Sequence, residues 1–408
     1  MSNDIEANGI PRGTTKFSHT YEILKVVGAI GGAIGVFIPL MTLVMQYRTS
    51  TQQRADENFR SVVEKLSAEK SEDRLASATS MGTFIKKGVF KGKFYDEAID
   101  VLLNRLPVEL DYNVLHAVTG SLERAETGEY KKIVGKLLAI ERGFFIQEYP
   151  LRHRYENTRK AFETLEVELR EIESQARETR SDTEKVRLDY VKEESARKWK
   201  IYQKREEEYR ELEMHQQFIS DAVSIFLERI TKTVPIEGLS FFRNSMNKVA
   251  ILEINLPNST IEKSAFSKSS IFHTKFNGSK IEDTVFTFSD LTKSSFADCA
   301  ITSSLFDQTT LNRVDFSGAE FKGVFFTGSD VTEANFKGSR GLKAIYFYKA
   351  KNIHKAFFDE GFRRELDGQL NGMNEETFIN YVNNESDLSS QRKKDIFNTL
   401  EELSSKEK

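Results

Sequence analysis

Residues 256–336 read LPNST IEKSA FSKSS IFHTK FNGSK IEDTV FTFSD LTKSS FADCA ITSSL FDQTT LNRVD FSGAE FKGVF FTGSD VTEAN F, and every fifth position is bulky and apolar. After Leu256 these are Ile261, Phe266, Ile271, Phe276, Ile281, Phe286, Leu291, Phe296, Ile301, Phe306, Leu311, Phe316, Phe321, Phe326, Val331 and Phe336. Two residues before each stands a small or β-branched residue, from Ser259 and Ser264 through Cys299 to Ala334. A period of five fits neither a helix nor a strand, so the buried face belongs to a repeating turn stacked into a solenoid.

Each short side of such a coil points one large and one small residue inward. Stacking at roughly 4.8 Å pairs the backbone groups between coils. Two large residues per side would collide, and overpacking costs about 1–3 kcal/mol per site. From Ile261 to Phe316 the large position alternates aliphatic and Phe. With four sides to a coil, Phe columns occupy two opposite sides and Ile/Leu columns the other two, until Phe321 breaks the alternation.

The pattern resembles the pentapeptide-repeat family, with Ala334-Asn335-Phe336-Lys337-Gly338 matching its motif in type and Val314-Asp315-Phe316-Ser317-Gly318 nearly so. The resemblance runs from Ile251 to Tyr346 and implies a right-handed quadrilateral β-helix of about four coils. The early repeats depart from it by using Ser and Thr where the family prefers Ala. Some family members similar to the gyrase-protecting type imitate duplex DNA with an acidic rod. Here Lys263, Lys268, Lys275, Lys280, Lys293, Lys322 and Lys337 nearly balance the carboxylates, which argues against that role.

The fold class expected for the 408 residues is therefore multidomain, α plus β-solenoid. Residues 1–21 read as a polar, disordered tail. Residues 22–47 hold an apolar run from Ile23 to Met45 with one charge, Lys25, long enough to cross about 30 Å of hydrocarbon as a single transmembrane helix. Gly28 and Gly32, and Gly31 and Gly35, lie four apart and offer a smooth face for packing another helix. The single cysteine, Cys299, suits a reducing compartment and points to soluble domains on the cytoplasmic side of a cell membrane.

Residues 55–147 turn helical, and Arg74–Gly82 resembles Asn113–Ser121, with Leu75 over Val114 and Ala78 over Ala117, as in HEAT-type repeats. Residues 151–234 carry no Gly and no Pro and read as a long coiled coil with a stripe through Tyr155, Phe162, Leu165, Leu169, Ile172, Val186 and Tyr190. The seam falters near Ser181-Asp182-Thr183-Glu184, whose spacing is that of a capping box. A straight stalk with a partner chain is favoured, and a self-covering hairpin is its rival. Residues 239–350 are assigned to the β-helix, with Leu239 to Ile254 covering its first coil. Residues 351–408 form a C-terminal helical segment that covers the last coil or trails from it.

The chemistry-bearing residues are scattered. No phosphate-binding loop, nucleophile elbow or His-Glu-x-x-His helix occurs, and His19, His116, His153, His215, His273 and His354 have no metal-ligand spacing. Asp283, Asp290, Asp298, Asp307, Asp315 and Asp330 stand off the inward register and read as solvent-facing. A net charge of −3 offers no field for nucleic acid. The expected function is a non-enzymatic, membrane-anchored protein-interaction scaffold without cofactor or metal, its partners being the lipid bilayer, an unknown protein and a second copy of itself. The alternative is an oligomerising, membrane-perturbing effector, for example in bacterial defence, with the soluble part as sensor.

Overall fold

The computed structural model describes residues 50–85, 94–174, 182–232, 234–370 and 372–406. The span expected at 22–47, with Gly28, Gly31, Gly32 and Gly35, lies outside them. Among the described residues no helix is long and apolar enough to cross a membrane. The chain forms two compact units that divide after Arg124.

The first unit contains α1 (Ser50–Leu66), α2 (Ser71–Ile85), α3 (Tyr95–Arg105) and α4 (Tyr112–Leu122). Phe59 packs between Phe84 and Phe94, with ring centroids 5.0 and 4.6 Å away. Helices α2 and α4 approach closely because Gly82 has no Cβ, which would lie 2.8 Å from Ser121 Oγ, and that hydroxyl donates to the Ala78 carbonyl at 2.7 Å. Glu109 is buried and receives Arg74 Nε at 2.8 Å and Arg105 Nη2 at 3.0 Å. Burial raises its pKa, but the two guanidiniums and the Asp111 N–H outweigh burial and hold it below the ordinary value. The two segments read as repeats are not equivalent: Leu75 is 36% exposed whereas Val114 is buried, so a HEAT-like reading has no support in this packing.

The second unit opens with two long helices, α5 (Tyr130–Ser174) and α6 (Asp182–Thr231). Partners on α6 descend in number as those on α5 rise: Glu148 accepts from Tyr209, Tyr155 stacks on Tyr202, and Glu168 pairs with Arg187. The two helices are therefore an antiparallel hairpin that covers its own seam, in place of the favoured stalk. Its buried distal cluster is Ile172, Leu188 and Val191, with Leu165 and Leu169 against it. Val186 and Tyr190, read as seam residues, are 70% and 66% exposed, because Leu188 and Val191 meet α5 instead. Helix α5 also runs through Pro150, where the sequence suggested a boundary. The missing N–H and ring clash cost about 3 kcal/mol in a helix, and contacts to Tyr209 from both Glu148 and Tyr155 clamp the flanking turns.

The solenoid follows. Strands β1 (Ser240–Phe242), β3 (Thr260–Glu262), β5 (Lys280–Glu282), β6 (Ala300–Thr302) and β7 (Glu320–Lys322) form one parallel ladder, and β2 (Ala250–Leu252) pairs with β4 (Ser270–Phe272). Register advances twenty residues per coil, Ser240 facing Thr260 and Thr260 facing Lys280. Residues 256–336 thus make about four turns, and the ladder begins one turn earlier. Leu239 to Ile254, expected to cover the first coil, is itself part of that coil.

The sixteen large residues from Ile261 to Phe336 are all at most 2% exposed. Phe276, Phe296, Phe316 and Phe336 stack at 5.0–5.2 Å. Phe266, Phe286, Phe306 and Phe326 form the opposite stack, and the two meet edge to face, as Phe296 does with Phe306 at 5.8 Å. Ile/Leu columns fill the remaining sides. Phe321 enters one of these columns and meets Phe316 and Phe326 edge-on.

The inward Ser and Thr residues do more than fill small volumes. Thr274 N–H donates to Ser294 Oγ at 3.1 Å, and Ser294 Oγ donates to the Ile271 carbonyl at 2.7 Å, so one hydroxyl links two coils. Where the residue one coil on has no hydroxyl, the N–H turns to the carbonyl three residues back, as at Cys299 opposite Ala319 and Val314 opposite Ala334. The Cys299 thiol donates to the Phe276 carbonyl, and burial pushes its pKa up to about 12.

Candidate interaction surfaces of the solenoid

Any exposed role for the solenoid depends on what its backbone leaves free. The end of a stacked coil presents unpaired N–H and C=O groups, an invitation to strand pairing. At the first coil the helical hairpin supplies the missing partners. Ser245 N–H donates to Glu141 Oε1 at 2.9 Å, Ser220 Oγ donates to the Ser245 carbonyl at 2.9 Å, and Ser224 Oγ donates to the Ala250 carbonyl. Asn244 Nδ2 donates both to Glu141 and, at 2.8 Å, to the Leu138 carbonyl. Glu141 is fully buried; desolvation raises its pKa, opposed by Asn244, the Ser245 N–H and Gln216. Phe218, Val223, Phe226 and Ile230 bury the apolar part of the same end.

The far end is closed by a short irregular turn and α7 (Glu360–Leu370). Phe362 packs on Phe358 at 5.5 Å and on Phe347 at 6.2 Å, and Arg363 Nη1 donates to the Ile353 carbonyl at 3.0 Å. Two further helices, α8 (Glu375–Asn384) and α9 (Ser390–Lys406), lie along one side. Phe378 meets Phe325 at 5.8 Å, and Leu403 Cδ1 lies 3.0 Å from where a Cβ on Gly328 would be. They cover this flank, whereas the sequence left open whether they cap the last coil or trail away.

Under these helices lies a correction. Asp307, expected to face solvent, is fully buried, as are Leu305, Phe325 and Thr327 beside it. Val285, Leu305 and Phe325 stand just before the inward Phe residues, on the outer surface, twenty residues apart. An apolar residue recurring at that outward position once per coil is the sequence signal that this flank is covered.

A cleft of about 320 Å³ separates the hairpin from the first coils, lined by Glu148, Arg152, Tyr209, Glu213, Ser267 and Lys268 among others. Four of its charges form ion pairs: Arg152 lies 3.6 Å from Glu148 and Lys248 3.0 Å from Glu213. Burial holds the Glu148 carboxyl and the Tyr209 hydroxyl above their ordinary pKa values. The nearby His215 ring stacks on Phe144 and its Nδ1 contacts the Glu211 carbonyl, so no nucleophile and base converge here. Among the described residues no cluster of His, Cys, Asp and Glu is arranged to hold a metal ion.

The side carrying Asn255, Lys275, Ser295, Asp315 and Asn335 is a flat ladder of parallel bridges with polar residues outward. Asp315 Oδ1 accepts from Asn335 Nδ2 at 3.0 Å and from the Ser317 N–H at 3.0 Å, while Lys275 and Lys337 are exposed.

Residues 259–336 match the family described as pentapeptide repeat region. This segment is a pentapeptide-repeat solenoid. Solved structures similar to it include a pentapeptide repeat protein from the cyanobacterium Cyanothece 51142, at 8% identity over 28% of this chain and 88% of that one, TM-score 0.24. Another comes from the Arabidopsis thaliana thylakoid lumen, at 22% identity over 22% and 68%, TM-score 0.18. A third is full-length QnrB1, a plasmid-mediated fluoroquinolone resistance protein, at 14% identity over 32% and 100%, TM-score 0.14. Scores this low carry no argument about shape or role. No curated protein matches the chain. The family assignment therefore rests on the matched residues and on the twenty-residue pentapeptide-repeat coil.

Proposed function

We propose that the protein is a non-enzymatic interaction scaffold, held at a membrane by residues 22–47, that offers a side of its pentapeptide-repeat solenoid to a protein partner. The observation that carries this reading is the sealing of both solenoid ends, by the hairpin through Glu141, Ser220 and Ser224 and by α7 through Phe362. With the ends closed and one flank covered by α8 and α9, the flat polar side around Lys275 and Lys337 is left for recognition. Its mixed charge suits a folded protein surface better than a polyanion. The anchor is argued from sequence alone: one lysine at the entrance of an apolar run of membrane length.

The test is crosslinking of the full-length protein in its native membranes, followed by identification of what is captured and in how many copies. Lys275→Glu with Lys337→Glu is expected to abolish capture of the partner while the thermal melt stays unchanged. Capture that survives these changes, or a chain that remains in the soluble fraction, overturns the proposal. Capture of other copies alone would favour the oligomerising effector.

A further inference from the structure

The flank under α8 and α9 holds a group that its surroundings do not complete. Asp307 Oδ1 accepts the Thr327 N–H at 2.9 Å, which with the nearby Thr327 hydroxyl favours the ionised form, but among the described residues Oδ2 has no hydrogen-bond partner. Asp283 and Asp395 share Arg392, at 2.8 and 2.7 Å. Asp387 pairs with Lys322 at 2.9 Å and Glu385 with Lys343 at 3.4 Å. Among the described residues no cation pairs with Asp307, and the charge acting on it from α9, that of Asp395, has its own sign.

This is a poor place for a carboxylate and a good one for a carboxylic acid. The neutral form loses little on leaving water and can donate where the ionised form only accepts. The ionised form would sit fully buried under the repulsion of the Asp395 carboxylate, with no cation paired to it among the described residues. We propose that α8 and α9 form a pH-gated cover: closed over the flank while Asp307 is protonated, and released when it ionises, baring the outward strip of Val285, Leu305 and Phe325. Burial raises the Asp307 pKa to about 7 in the closed form, so the closed cover loses stability as pH climbs from the ordinary carboxyl range and the loss is complete near 7. The ion pairs at the margins, Lys322 with Asp387 and Arg392 with Asp283, align the cover as it closes. The position accepts an uncharged isostere: in the same column, three coils before Asp307, Asn247 Oδ1 accepts the Ser267 N–H at 2.6 Å. The inference stands independently of the scaffold reading.

Hydrogen–deuterium exchange of the full-length protein at about pH 5.5 and about pH 8.5, corrected for the intrinsic exchange rate, tests it. Protection of 375–384 and 390–406 is expected to fall ~10-fold or more at the higher pH, while the inner strands around Ile281 and Ile301 keep theirs. Asp307→Asn should leave the cover equally protected at both values. Asp395→Asn should shrink the loss of protection at the higher pH, since it removes the charge that repels ionised Asp307 in the closed form. Equal protection of the wild-type cover at both values, or persistence of the loss in Asp307→Asn, overturns the proposal. Should Asp307→Asn fail to fold, a loss in Asp395→Asn as large as that of the wild type does the same.

Discussion

The two halves of the solenoid build one backbone from different chemistry. From Ser259 to Ser294 the inward small positions are Ser and Thr, several of whose hydroxyls join neighbouring turns, and the left-handed corners are Asn258, Lys263, Lys268, His273, Asp283, Phe288 and Lys293, with φ between 50° and 62°, and one glycine, Gly278. In the last coils Val314, Ala319, Val324 and Ala334 replace most hydroxyls, and Gly318, Gly323, Gly328 and Gly338 take four of the corners, with Arg313 and Glu333 at two others. A left-handed corner costs an L-residue roughly 1–2 kcal/mol that glycine avoids. The first half therefore carries more backbone strain and offsets it with more hydrogen bonds. Both halves share the Phe stacks, and the stacks set the common coil.

The largest effect should come from breaking what is shared. Phe296→Asp places an unpaired charge between Phe276 and Phe316, and is expected to cost about 4 kcal/mol or more and to melt both halves together. Lys293→Asp, at an exposed corner three residues earlier, should be nearly silent in the same thermal melt. If the two variants melted alike, the division into inside and outside would be wrong. If Phe296→Asp melted only one half, the two chemistries would be separate folding units.

A smaller effect separates the halves. Ser294→Ala removes an acceptor from the Thr274 N–H and a donor from the Ile271 carbonyl, at a cost of roughly 1–3 kcal/mol. The neighbouring coils show a fallback, since N–H groups opposite Ala319 and Ala334 turn to the carbonyl three residues back. The expected loss therefore lies near 1 kcal/mol. Ala319→Ser, in the half that lacks these links, should change denaturant midpoints by less than about 0.5 kcal/mol. Equal and large losses at both positions would mean that packing, not the hydroxyl, distinguishes the halves.

How far this architecture could be read in advance follows from which residues face inward. The fivefold recurrence of Ile, Leu and Phe reports burial directly, so the solenoid and its opposite Phe stacks were legible from Ile261 to Phe336. The covered flank was not, because Val285, Leu305 and Phe325 recur at twenty residues and each alone is an ordinary surface apolar residue. Asp307 was misplaced for the same reason. The hairpin was undecidable in principle, since a stripe such as Leu165, Leu169 and Ile172 buries equally well against a second chain or against Leu188 and Val191. The end cap was hidden more deeply: Glu141 and Asn244 are about a hundred residues apart and ordinary in isolation. Only the unpaired backbone of the first coil makes them necessary.

The corners give the smallest effect and the sharpest comparison. Lys263 has φ of 51° and an exposed side chain, so Lys263→Gly relieves the strained corner but widens the unfolded ensemble. Relief of roughly 1–2 kcal/mol against an entropic loss of about 0.4–1 kcal/mol leaves a gain near 0.5 kcal/mol. Gly338→Ala runs the other way at φ of 70°, where a Cβ would find its nearest neighbour at 3.8 Å, so strain rather than collision sets its cost. It should destabilise by about 1 kcal/mol in the same urea titration. Gly318→Ala should cost more, because there the Cβ would meet Asp298 Oδ1 at 2.3 Å as well. If Lys263→Gly instead destabilised the first half, the lysine corner would be contributing a contact that outweighs its strain, and the contrast between the halves would lie in the hydroxyls alone.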